Sequence, residues 1–186
     1  QACALPISPC AAAVLRRGAD RWGAEVRLGQ RVAGGGQGRV RLEDGREVAA
    51  ERIVVAAGAD AGRLVGGLPV RKRRGHLVIT ERYPGWVRHQ LVELGYLKSA
   101  HSVVTDSVAF NVQPRRTGQL LIGSSREYGA ESAEVNRTLL AAMLVRAENY
   151  LPGIGGLEAI RVWTGFRAAT PDKLPLIGAW PGDVSV

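Results

Sequence analysis

The sequence predicts a mixed α/β (α+β) fold built in two parts. Three observations carry this expectation. An Ala- and Arg-rich helical stretch precedes a short apolar run, IVVAAGA at 53–59, of the kind that parallel sheets bury. Beyond Leu68-Pro69 the pattern changes to alternating strands, RGHLVITE and SVAFNVQPRRTGQLLIGSS. One long helical pattern then separates those strands from a last one, EAIRVWTGFRAAT.

Taken in order, residues 1–8 (QACALPIS) resemble an in-frame translation of a sequencing-library adapter and are expected to be a non-native leader. A helix is expected from Pro9, with Ser8 and Pro9 as start signals, Gly23 as stop, and Val14, Leu15 and Trp22 on one apolar face. AEVRLGQRV alternates as a strand does. AGGGQG at 33–38 is expected as a loop, because a dinucleotide motif would need a helix after it and strand patterns flank this one. RVRLEDGREV is a hairpin turning at Asp44-Gly45. A buried strand follows over 52–57, then Gly58 and a short helix. The second part begins near 66–72. Its helix is expected over 133–151, capped by Ser132 and ended by Pro152-Gly153, with Val135, Leu139 and Met143 (beside Leu140 and Leu144) as its apolar stripe.

Composition narrows the function. The chain has 186 residues, 46% hydrophobic and 23% charged, as ordinary globular proteins do. Its apolar runs are too short to cross a bilayer, and QACALPISPC lacks the basic region and apolar core of a signal peptide. Cys3 and Cys10 form neither metal spacing nor a disulfide framework, which suits a reducing compartment. The formal charge is +8, yet the basic residues are spread out except for RKRR at 71–74. Aromatics amount to 5%, so no stacking platform for nucleic acid is built. His76, His89 and His101 lack ligand spacing, and no G-x-S-x-G elbow occurs.

Two stretches carry chemistry. The end of IVVAAGAD is all small residues, which lets a ligand approach the backbone. In TGFRAATPDKLPLIG, Arg167 stands inside an apolar strand, where a guanidinium needs an anion. On spacing alone that anion is either an internal Asp172 or Glu, or the carboxylate of a ligand. Tyr96 and His101, in an irregular segment between strands, are further pocket candidates.

In order along the chain, ERIVVAAGADA, LPVRKRRGHLVITE, QLLIGSS and WTGFRAATPDKLPLIG resemble the FAD-dependent D-amino-acid oxidase family. The resemblance is greatest to its glycine oxidase, sarcosine oxidase and D-amino-acid dehydrogenase branch, and it runs from Pro9 to Val186. It implies a partial Rossmann-type FAD-binding domain at 9–68, an antiparallel-sheet substrate domain at 69–168 and a return segment at 169–186. It implies that Val32 meets adenine through its backbone and that Ala57, Gly58 and Ala59 lie near the pyrophosphate. Arg74, Gly75 and His76 would form the entry to the substrate domain and take part in cofactor binding, and Leu176, Ile177 and Gly178 would lie beside the flavin. Arg167 would hold the substrate carboxylate.

The implied activity is oxidation of an amino acid at its C–N bond by hydride transfer to FAD, with no protein nucleophile or metal. The implied partners are a small amino acid and oxygen, a quinone or another electron acceptor, not nucleic acid. The implied location is the cytoplasm or the periphery of the inner membrane. The family's N-terminal G-x-G-x-x-G and its C-terminal Gly-rich stretch have no counterpart here. The expectation is therefore a fragment lacking both ends that binds FAD poorly alone. Two alternatives stay open: another two-domain flavin or nicotinamide oxidoreductase, and a non-catalytic basic binding module.

Overall fold

The computed structural model describes residues 7–95, 106–180 and 184–185. Its fold is mixed α/β, as expected. It divides into two compact units, one reaching Val70 and including the stretch from Asp172 onward, the other Arg71–Pro171.

The first unit opens with helix α1 (Ile7–Arg21). Residues 24–31, expected as strand, form turns and coil, because Gly29 at φ 72° turns the chain. Strand β1 (Val32–Gly36) instead runs through the glycines expected as a loop. It pairs antiparallel with β2 (Arg39–Leu42). The connecting Gln37 and Gly38 both have positive φ, 50° and 73°. Such a two-residue turn matches the twist of paired strands, so turn chemistry overrides the poor strand propensity of glycine. A Cβ at Gly35 would lie 3.0 Å from the Arg39 carbonyl, which keeps that position glycine. β3 (Glu47–Ala49) returns along β2 after a turn in which Asp44 Oδ1 accepts from the Arg46 amide at 3.0 Å.

β4 (Ile53–Val54) runs parallel to β11 (Val184–Ser185), which pairs antiparallel with β10 (Ala179–Trp180). The parallel pairing agrees with the apolar run; cover on both faces does not. Ile53 is 8% exposed but Val54 is 73% exposed, and β4 ends its sheet. A 3-10 turn (Gly58–Asp60) and α2 (Ala61–Leu64) follow. Ile53, Ala61, Val65 and Leu68 form the small core here, with Leu176 packed against it.

The second unit is a five-stranded sheet in the order β6-β7-β8-β5-β9. Its strands are β5 (Arg71–Arg82), β6 (Leu91–Val92), β7 (Ser107–Pro114), β8 (Gln119–Tyr128) and β9 (Ala159–Ala169), all antiparallel to their neighbours. Helix α3 (Arg137–Tyr150) packs on one face. It starts later than expected. Asn136, not Ser132, is the cap, and its Oδ1 accepts from the Leu139 amide at 3.1 Å, a bond contributing about 1 kcal/mol. The buried stripe also differs: Met143 and Ala147 are inside, whereas Val135 and Leu144 are exposed. The core joins them to Val78, Phe110, Val112, Leu120, Ile122 and Ile154.

Alternation along β5 therefore sends Arg74, His76, Val78 and Thr80 towards α3, and Arg73, Gly75, Leu77 and Ile79 to the opposite face. A second tie to α3 is ionic. The Glu93 side chain, 1% exposed, accepts from Arg146 Nε at 2.6 Å and Nη2 at 2.9 Å, and from the Phe110 amide at 2.8 Å. The hydrogen-bonded Arg146 guanidinium holds this carboxyl below the usual range, against the opposing effect of burial.

Candidate functional site

On the sheet face turned away from α3, the half-buried Arg167 side chain leaves β9 and crosses β5. Its Nη1 donates to the Ser125 carbonyl of β8 at 3.2 Å. It crosses above Gly75, where an added Cβ would lie 3.0 Å from the guanidinium carbon and closer still to Nη1. Only a glycine lets the planar group lie flat there. Gly75 opposes Gly165, where a Cβ would meet nothing within 4 Å, so space remains open beside the guanidinium. Among the described residues, Arg167 has no carboxylate partner. The internal ion pair that spacing left open is thus absent from them. Asp172 Oδ1 instead accepts from the Leu174 amide at 3.1 Å.

Beneath this face a buried polar network fixes β5. Arg74 donates from Nε and Nη2 to Glu127 Oε2, both at 2.8 Å, and from Nη1 to the Ser132 carbonyl at 2.8 Å. Asn136 Nδ2 donates to Glu127 Oε1 at 2.8 Å. His76, fully buried, accepts the Asn136 amide on Nε2 at 3.0 Å and bonds Ser125 Oγ through Nδ1 at 2.7 Å. An acceptor at Nε2 requires the neutral ring protonated at Nδ1. Of the three residues expected at the domain entry, Arg74 and His76 thus have polar atoms engaged inside this unit, and Gly75 carries the open face.

Burial pushes the His76 pKa down, with Glu127 opposing and Arg74 assisting. A histidine whose folded pKa lies below its unfolded value of about 6.5 loses stability as pH falls through that value towards the folded one. Urea unfolding midpoints should therefore decline as pH drops below about 6.5. His76→Gln should flatten the decline, and equal slopes in both proteins would refute the assignment.

In the first unit, Val32, Gly34, Gly35, Val40, residues 53–57, Leu64 and Val65 line an apolar cleft of about 320 Å³. Two expected cofactor positions, Val32 and Ala57, are in its wall. The Val32 carbonyl accepts from Arg63 Nη2 at 3.3 Å. Gly58 and Ala59 make the 3-10 turn after the cleft, and Gly58 has φ 55°, a conformation that favours glycine. Leu176 is half-buried against the small core, whereas Ile177 is 85% exposed and Gly178 is open. Tyr96 and His101 lie outside the described residues.

The model of the family described as FAD dependent oxidoreductase (DAO) matches residues 10–186. The chain belongs to this family. The family is described as one of FAD-dependent oxidoreductases. Glycine oxidase of Pseudomonas putida is 26% identical over 147 residues, covering 77% of this chain and 36% of that protein. Hydrogen cyanide synthase subunit HcnC of Pseudomonas aeruginosa is 27% identical over 160 residues, covering 82% of this chain and 33% of that protein. Among solved structures, glycine oxidase from Geobacillus kaustophilus superposes with a TM-score of 0.71 at 26% identity, over 94% of this chain and 46% of that one. The chain thus spans about a third of the curated relatives it matches.

Small and apolar residues line the cleft without a charge, which suits a flat aromatic ring, as in the adenine of FAD, rather than a phosphate. No helix among the described residues is long and apolar enough to cross a membrane. Three features of the site go beyond the sequence-based expectation: Arg73, Ser125, and the part of Gly75 in seating Arg167. A signal for Arg73 does exist: in RKRRG it stands two residues before Gly75, hence on the same face.

Proposed function

We propose that this chain carries the carboxylate anchor and part of the FAD site of an enzyme that oxidises the C–N bond of an amino acid. One observation carries the proposal: a half-buried guanidinium, seated on glycine, with a carbonyl but no carboxylate among its described partners. Such a group is a ready partner for an external carboxylate, because its desolvation is already incurred and its fork is oriented. In this proposal Val32 and Ala57 border the part of FAD held in the cleft. Gly58, Ala59, Leu176, Ile177 and Gly178 would contact the rest through backbone and apolar side chains. Bound FAD would supply the hydride acceptor for the substrate carbon beside nitrogen. Arg167 fixes the carboxylate, which orients that carbon. Ser125, through its carbonyl, holds Nη1, and Arg74 and His76 keep β5 in register beneath it.

A chimaera tests this. Residues 10–186 replace the matched segment of the Pseudomonas putida glycine oxidase. A yellow protein that reduces an artificial electron acceptor in the presence of an amino acid is the expected result. A folded, colourless chimaera that takes up no FAD would defeat the proposal.

A further inference from the structure

Arg73 stands directly opposite Arg167 in the β5–β9 register, so the two side chains leave the same face. Like charges placed opposite one another destabilise a sheet unless an anion lies between them. Neither arginine has a carboxylate partner among the described residues. Arg73 is half-buried, and its Nε is fully covered with no hydrogen-bond acceptor. Its Nη1 donates to the Tyr128 hydroxyl at 3.3 Å, with the ring 5.9 Å from the guanidinium carbon. Tyr128 thus orients the Arg73 fork without neutralising it. Three other cations of this unit are matched, Arg74 by Glu127, Arg146 by Glu93 and Lys72 by Glu131. The open space at Gly165 adjoins the pair.

We propose that Arg73 and Arg167 form a double-guanidinium site for substrates bearing two carboxylates, with Arg167 holding one and Arg73 the other. Opposed residues have Cβ atoms about 5 Å apart, a separation that long arginine side chains convert into two forks suited to a short diacid. The substrate class is an amino acid or secondary amine with a second carboxylate. The proposal rests on Arg167 as the carboxylate anchor described above.

Calorimetric titration of the 186-residue chain at physiological ionic strength distinguishes the double site from the anchor alone. Succinate should bind about tenfold or more tightly than acetate. Arg73→Gln should abolish that advantage and leave acetate binding within about twofold. Arg167→Gln should weaken both ligands. Arg116→Gln, at an exposed position, removes one charge elsewhere and should change neither, which controls for net charge. Circular dichroism confirms folding of each variant, and Arg73→Lys, which keeps charge but loses the fork, should recover only part of the advantage. Equal affinities for succinate and acetate overturn the double site, as does an advantage that survives Arg73→Gln. Tighter binding of inorganic phosphate than of succinate, lost in Arg73→Gln, overturns the substrate class. If Arg167→Gln leaves acetate binding intact, the anchor itself fails, whatever Arg73 does.

Discussion

Arg167→Ala in the chimaera lowers kcat/KM for carboxylated amino acids by about 2–4 kcal/mol, roughly 30- to 1000-fold. The size follows from the site. The lost bonds are charge-assisted and oriented, and the group left behind is a desolvated substrate carboxylate rather than a solvated one. The loss should concentrate on substrates with a free carboxylate and be small for the matching amides. Gly75→Ala should act in the same direction by lifting the guanidinium off β5, raising KM while Arg167 is still present. Steady-state kinetics on both variants decide the matter. Unchanged constants in Arg167→Ala would return that arginine to a purely structural part.

Arg146→Met costs about 3 kcal/mol of stability at neutral pH, the low end for stripping the partner from a buried ion. Glu93 is the reason: its side chain is 1% exposed and cannot reach water, whereas Arg146 is 40% exposed and can. Arg126 also lowers the Glu93 pKa through its charge, which moderates the loss. The sign with pH follows from the depressed carboxyl. Its stabilising contribution is present above the unfolded value of about 4.5 and fades as pH falls through the folded one. The gap between wild type and Arg146→Met should therefore narrow in acid. Glu93→Gln, neutral and nearly isosteric, should cost less than Arg146→Met. Urea titrations across that range test both points, and a gap independent of pH would refute the charge argument.

Much of the fold and part of the site are legible in the amino-acid sequence. Alternation in RGHLVITE and QLLIGSS marks strands because one face is buried and the other is not. The parallel run IVV and the arginine inside TGFRAA stand out for a related reason, since each departs from the pattern of a solvated segment. Three features are not legible. The glycines of β1 read as loop because propensity is local, while the hairpin turn and cross-strand register that hold them are not. The cap at Asn136 is hidden because Ser132, the nearer signal, is engaged by Arg74 from 58 residues away in sequence. The seating of Arg167 on Gly75 depends on a register joining residues far apart in the chain. No window of sequence contains that pairing.

The shallow sheet of the first unit has a practical consequence. β4 has β11 on one side, nothing among the described residues on the other, and an exposed Val54. An unpaired strand border offers its backbone N–H and C=O groups to a second molecule, and here the border is held to two residues with Glu51 and Arg52 just before it, which limits such pairing. A lysine in place of Val54 is the kind of gatekeeper by which natural sheets discourage it.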